Sequence, residues 1–330
     1  MIRALDTLPE TLQASYARLL RRIPQTDRPL VRAALTWLSF SLRPLRLNEL
    51  NEAVILEDGI THMDTYDRLQ QDNVLLELCH GLLEIRGQGV SLAHASVKMF
   101  LTSKECHESD VGYFALALQQ GNRALLKKCI QYLSLDHFSS GYCLTEDAFD
   151  SRKREFPLLE YAAFHWAIHA RELDFSSEDR LVVMDFLRTH KLLRGGNFVA
   201  WVQVLIPSVD LRAIESTQPL YYAASYGLVE VVKAILDADP NIHLDARGGR
   251  HRSTPFFVAC YRGYYHVAGV LFEAGASINI VDDLGDTVYS LLVRRSKKSS
   301  NAKQLLDKVE ASPGFNSRTA QRWLKPSQWQ

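Results

Sequence analysis

The sequence runs to 330 residues, 47% apolar and 23% charged, enough chain for two or three domains and too apolar for wholesale disorder. Lysine plus arginine and aspartate plus glutamate each number 38, so the formal net charge is zero and no global field draws the molecule to nucleic acid or anionic lipid. Met1-Ile2-Arg3-Ala4-Leu5-Asp6 has no apolar core and no long uninterrupted apolar run follows, so neither a secretion signal nor a membrane span is expected.

In chain order, Thr7 and Glu10 pose as a capping box with Pro9 in the first turn, and Leu8, Leu12, Tyr16, Leu19, Leu20 and Ile23 then recur at helical spacing. Pro24 and Pro29 punctuate the break before a second helix through Leu30, Ala34, Trp37 and Leu38, which Pro44 closes. Leu47, Leu50, Val54 and Ile55 mark a third helix, and Leu69 to Cys79 a fourth. Leu82-Leu83-Glu84-Ile85 and Val90-Ser91-Leu92-Ala93 flank Gly87-Gln88-Gly89 as a hairpin. A helix from about Ser96 through Phe100 and Leu101 completes the order of a winged-helix domain. Further on, Asp110 to Ser134 reads as helix, Ser139 to Glu155 as loop, and Leu158 to His169 as an aromatic-rich helix. Two more helical stretches, Leu181 to Leu187 and Phe198 to Leu205, lead to Pro207.

Self-similarity begins after Ser216. Gln218-Pro219-Leu220-Tyr221-Tyr222-Ala223-Ala224-Ser225-Tyr226-Gly227 is echoed 36 residues later by Thr254-Pro255-Phe256-Phe257-Val258-Ala259-Cys260-Tyr261-Arg262-Gly263. A weaker copy opens at Thr287, 33 residues further on. This is the ankyrin pattern: a capped turn, a short helix ended by glycine, a second apolar helix and a finger loop. Tyr222 and Phe257 replace the usual histidine, so packing must stabilise those turns. The first finger is three residues longer, through Arg247-Gly248-Gly249-Arg250.

The five cysteines, Cys79, Cys106, Cys129, Cys143 and Cys260, are scattered and form no C-x-x-C. They read as idle thiols in a reducing compartment, with the cytoplasm as the default.

Leu8-Pro9-Glu10-Thr11-Leu12, Leu35-Thr36-Trp37-Leu38, Arg43-Pro44-Leu45, Asn48-Glu49-Leu50, Leu92-Ala93-His94-Ala95-Ser96-Val97-Lys98 and Pro157 to Trp166 resemble the segment that follows the nucleotide-binding domain in fungal NACHT–ankyrin proteins. That segment is a winged helix of the GPI inositol-deacylase type. The resemblance implies a mainly α fold: a winged-helix domain with a small hairpin (1–105), a helical middle region (106–215), an ankyrin stack (216–293) and a basic cap or tail (294–330). No G-x-x-x-x-G-K-[ST] occurs, so no phosphate cradle is expected. A complete chain would then be an adaptor-like remnant of an NLR-type receptor, unable to switch by nucleotide exchange. An in-frame Walker A segment upstream of Met1 would overturn that.

The rival functions are weaker on the same residues. A hydrolase needs an activated nucleophile and an oxyanion hole. The sequence offers no G-x-S-x-G, only His94 near Ser96, Cys79 beside His80, and a Ser300-x-x-Lys303 coincidence. A nucleic-acid-associated regulator using the winged helix and basic tail is the alternative. Residues 1–105 carry a net charge of −1, against +6 for 286–330 with its Arg294-Arg295-Ser296-Lys297-Lys298 cluster, which could also serve nuclear import. The expected function is non-enzymatic binding of a protein partner through the concave ankyrin face, with no cofactor, metal, small-molecule substrate or membrane. The fingers Ala246 to Arg252 and Ile280 to Gly285 are the expected contact loops. Candidate partner-binding residues are Tyr222, Tyr226, Arg247, Arg250, Arg252, Phe257, Tyr261, Asp282 and Asp283.

Overall fold

The computed structural model describes residues 10–64, 73–79, 81–207, 211–313 and 315–316. They form two compact units, one within 1–137 and 145–174, the other within 138–144 and 175–330. The middle region 106–215 therefore contributes to both. Thr7 of the expected capping box, Pro9 of its first turn, the segment 65–72, His80, and the tail tryptophans Trp323 and Trp329 lie outside the described residues.

In the N-terminal unit, α1 (Glu10–Arg21), α2 (Arg28–Phe40) and α3 (Leu47–Ile55) follow the expected proline punctuation. Pro29 occupies the first turn of α2, where its missing N–H costs no hydrogen bond. Of the fourth expected helix, α4 (Val74–Leu78) is described. The hairpin forms as β2 (Leu83–Arg86) and β3 (Gly89–Leu92), with Gly87 at φ 63° supplying the sign a two-residue turn needs. A strand too short to alternate visibly, β1 (Leu45–Arg46), adds to β3 and makes an antiparallel sheet in the order β1-β3-β2. Helices α5 (Ala95–Leu101) and α6 (Lys104–Glu108) follow the wing.

The expected continuous helix over 110–134 is broken. Gly112–Phe114 make one 3₁₀ turn, Ala115 and Ala117 are extended, and α7 runs Leu118–Leu133. The Leu116 N–H is drawn off to the Leu101 carbonyl at 2.8 Å, which a helical backbone would forbid. The expected loop before residue 155 also holds a helix, α8 (Glu146–Glu155). Its apolar signal is a single buried Phe149, but Thr145 caps it, acids open it and Arg152, Lys153 and Arg154 close it. Helix α9 (Leu159–Arg171) then packs along α7.

Two polar devices lock this unit. The Glu49 carboxylate, 1% exposed, takes both Arg43 guanidinium nitrogens at 2.7 Å and the Arg46 N–H at 2.8 Å. Arg43 also lies over the Tyr161 ring, 5.2 Å from its centre. The second device is a chain from Asn122 through His169 to Tyr161.

Helix α7 approaches α2 through Gly121. A Cβ there would sit 2.2 Å from the ring of Phe40, which is itself buried. Gly121→Ala gains about 1 kcal/mol of helix propensity but overpacks the contact by about 1–3 kcal/mol. The variant should unfold at lower urea than the parent. A higher midpoint would mean that Phe40 swings aside freely.

The C-terminal unit contains α10 (Ser177–Arg188), α11 (Gly196–Leu205) and α12 (Leu211–Glu215), then three helix pairs: α13 (Pro219–Ser225) with α14 (Val229–Ala238), α15 (Pro255–Arg262) with α16 (Tyr265–Glu273), and α17 (Val288–Ser296) with α18 (Ser300–Glu310). The weaker third copy is thus a complete pair, extending into the stretch expected as a basic tail. First helices stack as α13–α15–α17 and second helices as α14–α16–α18, with α10 against α14.

Candidate partner-binding face

The first-helix row is built by caps and small residues. Thr254 Oγ1 accepts from the Phe257 N–H at 3.2 Å, and Thr287 exchanges such bonds with Ser290. Gln218, in the equivalent place, makes no side-chain cap. Ala223 and Ala224, then Ala259 and Cys260, are at most 2% exposed and let the helices close on one another.

The long first finger follows from its packing. Gly248 pairs with Ser253 as a one-bridge hairpin, and Gly248 and Gly249 lie on the ring of Tyr221. A Cβ on Gly249 would stand 2.2 Å from the Tyr221 hydroxyl oxygen. Arg252 takes φ 47°, a strained value for a side-chain-bearing residue, at the turn into Ser253. The two fingers are tied together: the Asp283 N–H donates to the His251 carbonyl at 3.1 Å, and Arg247 stands 3.8 Å from the Asp283 carboxylate.

The expected contact residues separate into two groups. Tyr222, Phe257 and Asp282 are 5%, 6% and 6% exposed, so they hold the stack together and cannot be the contacts proposed for them. Tyr222 packs against Trp201 at 5.0 Å and Phe198 at 6.1 Å between ring centres, and burial pushes its phenol well above the usual range. Asp282 builds the second finger, accepting from the N–H groups of Leu284 and Asp286 at 3.0 and 2.9 Å. Tyr226 is half-buried beside Trp201, its phenol pushed up to about 12 by burial while the nearby Arg262 charge opposes the rise.

Arg247, Arg250, Arg252, Asp283 and Tyr261 remain exposed, Tyr261 by 58%. Its ring stacks on Phe257, and the Arg295 guanidinium covers it at 5.7 Å while donating to the Tyr261 carbonyl at 3.0 Å. Arg294 is bidentate to Asp286. The first two members of the basic cluster therefore work inside the repeat. Three face residues escaped the sequence reading: Arg262, Arg295 in this role, and Leu284, 68% exposed at the second finger's tip. The repeat offsets of 36 and 33 would have found the arginines, since they carry Tyr226 onto Arg262 and Arg262 onto Arg295.

Elsewhere, His94 Nδ1 does lie 2.5 Å from Ser96 Oγ. The pair caps α5, however: the Ser96 N–H donates to His94, and Ser96 Oγ, in a side chain 3% exposed, also meets the Tyr16 hydroxyl at 2.7 Å. Among the described residues no carboxylate bonds His94. Burial raises the thiol of Cys79 to about 12 and that of Cys106 to about 11, with Cys129 and Cys260 higher still, which leaves them without thiolate character. Ser300 and Lys303 lie exposed in the first turn of α18. No helix among the described residues is long and apolar enough to cross a membrane.

Comparison with known proteins agrees with this anatomy. Residues 21–117 match the family described as the GPI inositol-deacylase winged helix domain, and residues 190–282 match ankyrin repeats in three copies. The latter span opens ahead of Gln218, taking in α11, and closes ahead of α17. A curated relative, the azaphilone pigments biosynthesis cluster protein L of Monascus ruber, is 29% identical over 298 residues, which is 83% of this chain and 61% of the relative. The chain thus spans about three fifths of that protein's length. No solved structure matches. The chain carries a winged-helix domain of the GPI inositol-deacylase type followed by ankyrin repeats.

Proposed function

We propose that this chain is a non-catalytic adaptor that holds a protein partner on the α13–α15–α17 row and its two fingers, as the C-terminal part of an NLR-like receptor would, with the cytoplasm as its place of action. Ankyrin repeats are protein-binding architecture. The observation that carries the reading is Tyr261, a large aromatic more than half exposed on a helix whose other aromatic residues are buried. Its ring is braced by Phe257 below and Arg295 above, so little side-chain entropy remains to be lost on binding. Rigid aromatics of this kind, flanked by arginine, are the usual anchors of protein interfaces.

A displayed library of protein fragments, selected on the intact chain, supplies ligands for the test. Tyr261→Ala should weaken selected ligands by about 2 kcal/mol or more, roughly thirtyfold. Lys104→Ala, at an exposed position of the N-terminal unit, should leave them unchanged. Ligands that tolerate Tyr261→Ala and Arg250→Ala together, yet lose affinity through the N-terminal unit, would place binding elsewhere.

A further inference from the structure

We infer that the partner presents an acidic segment, a run of aspartate and glutamate with an apolar side chain among them, to this face; the inference rests on the proposed function above. Four arginines are exposed on it: Arg250 and Arg252 on the first finger, Arg262 at the end of α15, and Arg295 near the end of α17. Among the described residues no carboxylate lies within ion-pair distance of any of them. The three carboxylates of the second finger and the turn after it are already engaged. Asp286 is held bidentate by Arg294 at 2.9 and 2.8 Å, Asp282 is buried in its own turn, and Asp283 faces Arg247.

The repeat sets two of the four charges on one row, and the first finger supplies the other two. Arg262 and Arg295 are one position in successive copies, and Arg295 reaches back to Tyr261 of the copy before it. Arg262 lies close enough for its charge to act on Tyr226, and Arg295 covers Tyr261. Arg250 and Arg252 lead straight into the turn that opens α15. In a chain of zero net charge this is a local excess.

A neutral partner laid over these guanidinium groups would strip water from them and return only uncharged acceptors such as carbonyl oxygens. Carboxylates return bidentate charge-assisted bonds, so the face discriminates by charge. Leu284 and Tyr261 supply the apolar contact. Residues 317–330 carry Arg318, Arg322 and Lys325 and no acid, so their charge does not complement these arginines. A polynucleotide also offers anions, but four arginines neutralise few phosphates, and the apolar contact at Leu284 and Tyr261 suits a peptide side chain better than a phosphate backbone.

The test selects random displayed peptides on the intact chain and measures the enriched ones by fluorescence anisotropy. The expected result is enrichment in Asp and Glu, affinity that falls with added salt, and at least about a tenfold loss in Arg250→Glu/Arg262→Glu. Circular dichroism confirms that each variant folds. Neutral or basic winners that are still lost in Tyr261→Ala would overturn the acidic-partner inference and leave the proposed function standing. Winners indifferent to both variants would sink both. Tighter binding of short fluorescein-labelled single-stranded DNA than of the best peptide would assign the arginines to phosphate instead.

Discussion

Trp201→Ala should cost the C-terminal unit about 3–5 kcal/mol, the usual loss for a large aromatic removed from a closed core. Trp201 is 1% exposed. Its ring meets Phe186 and Phe198 at 5.7 Å, Tyr222 at 5.0 Å and Tyr226 at 6.2 Å. It therefore joins α10 and α11 to α13, closing the end of a row whose first copy is weakest. That copy lacks the threonine cap of the other two. A repeat buries its apolar face only against its neighbours, and here the neighbour on one side is this aromatic cluster. Whole-domain stabilities of about 5–15 kcal/mol make such a loss comparable to the total. Hydrogen exchange read by mass spectrometry should show α13 and α14 losing protection before α17 and α18. Trp201→Phe, which keeps a ring in place, should lose less. Unchanged exchange in 219–238 would mean that the helix pairs stand without the cluster at their end.

The architecture was open to reading wherever a local rule and a tertiary need coincide. Thr254 and Pro255 announce a helix start by capping and by fixed φ, and the structure uses both. The hairpin around Gly87 was likewise written in its turn residue. What escaped was set by contacts between distant segments or by signals other than apolar spacing. Strand β1 exists because Leu45 meets Val90, and two residues cannot show an alternation. Helix α8 carries its signal in Thr145 and in the sign of its terminal charges, while an apolar period has only Phe149 to work with. The break before α7 depends on the bond between Leu116 and Leu101, which no local pattern encodes.

The candidate face divides in the same way. Phe257 and Tyr261 lie one turn apart on α15, and residue type alone does not separate the one that packs from the one that faces outward. Comparing copies position by position separates Arg262 and Arg295 cleanly, because the repeat fixes orientation even where the letters change.

In the N-terminal unit, stability should fall as pH drops from about 6.5 to about 4, because His169 is held neutral inside the fold. Its side chain is fully buried. Burial, with a smaller push from His165, lowers its pKa from an ordinary 6.5 to about 4. The bonding assigns the tautomer: Nδ1–H donates to Asn122 Oδ1 at 3.0 Å, and Nε2 accepts from the Tyr161 hydroxyl at 3.0 Å. That hydroxyl in turn accepts the Leu42 N–H at 3.2 Å. A second proton on the imidazole would face the Tyr161 hydroxyl and add an unscreened charge to the core. The unfolded chain takes the proton near pH 6.5 and the folded chain only near 4, so the stabilisation is fully present above the first value and is lost through the interval. The shift corresponds to about 3 kcal/mol. His165, also lowered by burial, acts with the same sign. Asp58, Asp110 and Asp150, held below their usual values chiefly by hydrogen bonds to Lys128, Arg21 and Lys153, lose their contribution at lower pH. A urea-midpoint series across the interval isolates the histidine if His169→Gln is run beside the parent. The variant should be less stable at neutral pH, where the network is complete, and its midpoint should fall less steeply with acid. Parallel curves would show that His169 takes its proton inside the folded core, and that the Asn122–His169–Tyr161 chain tolerates a cation that its geometry and burial should exclude.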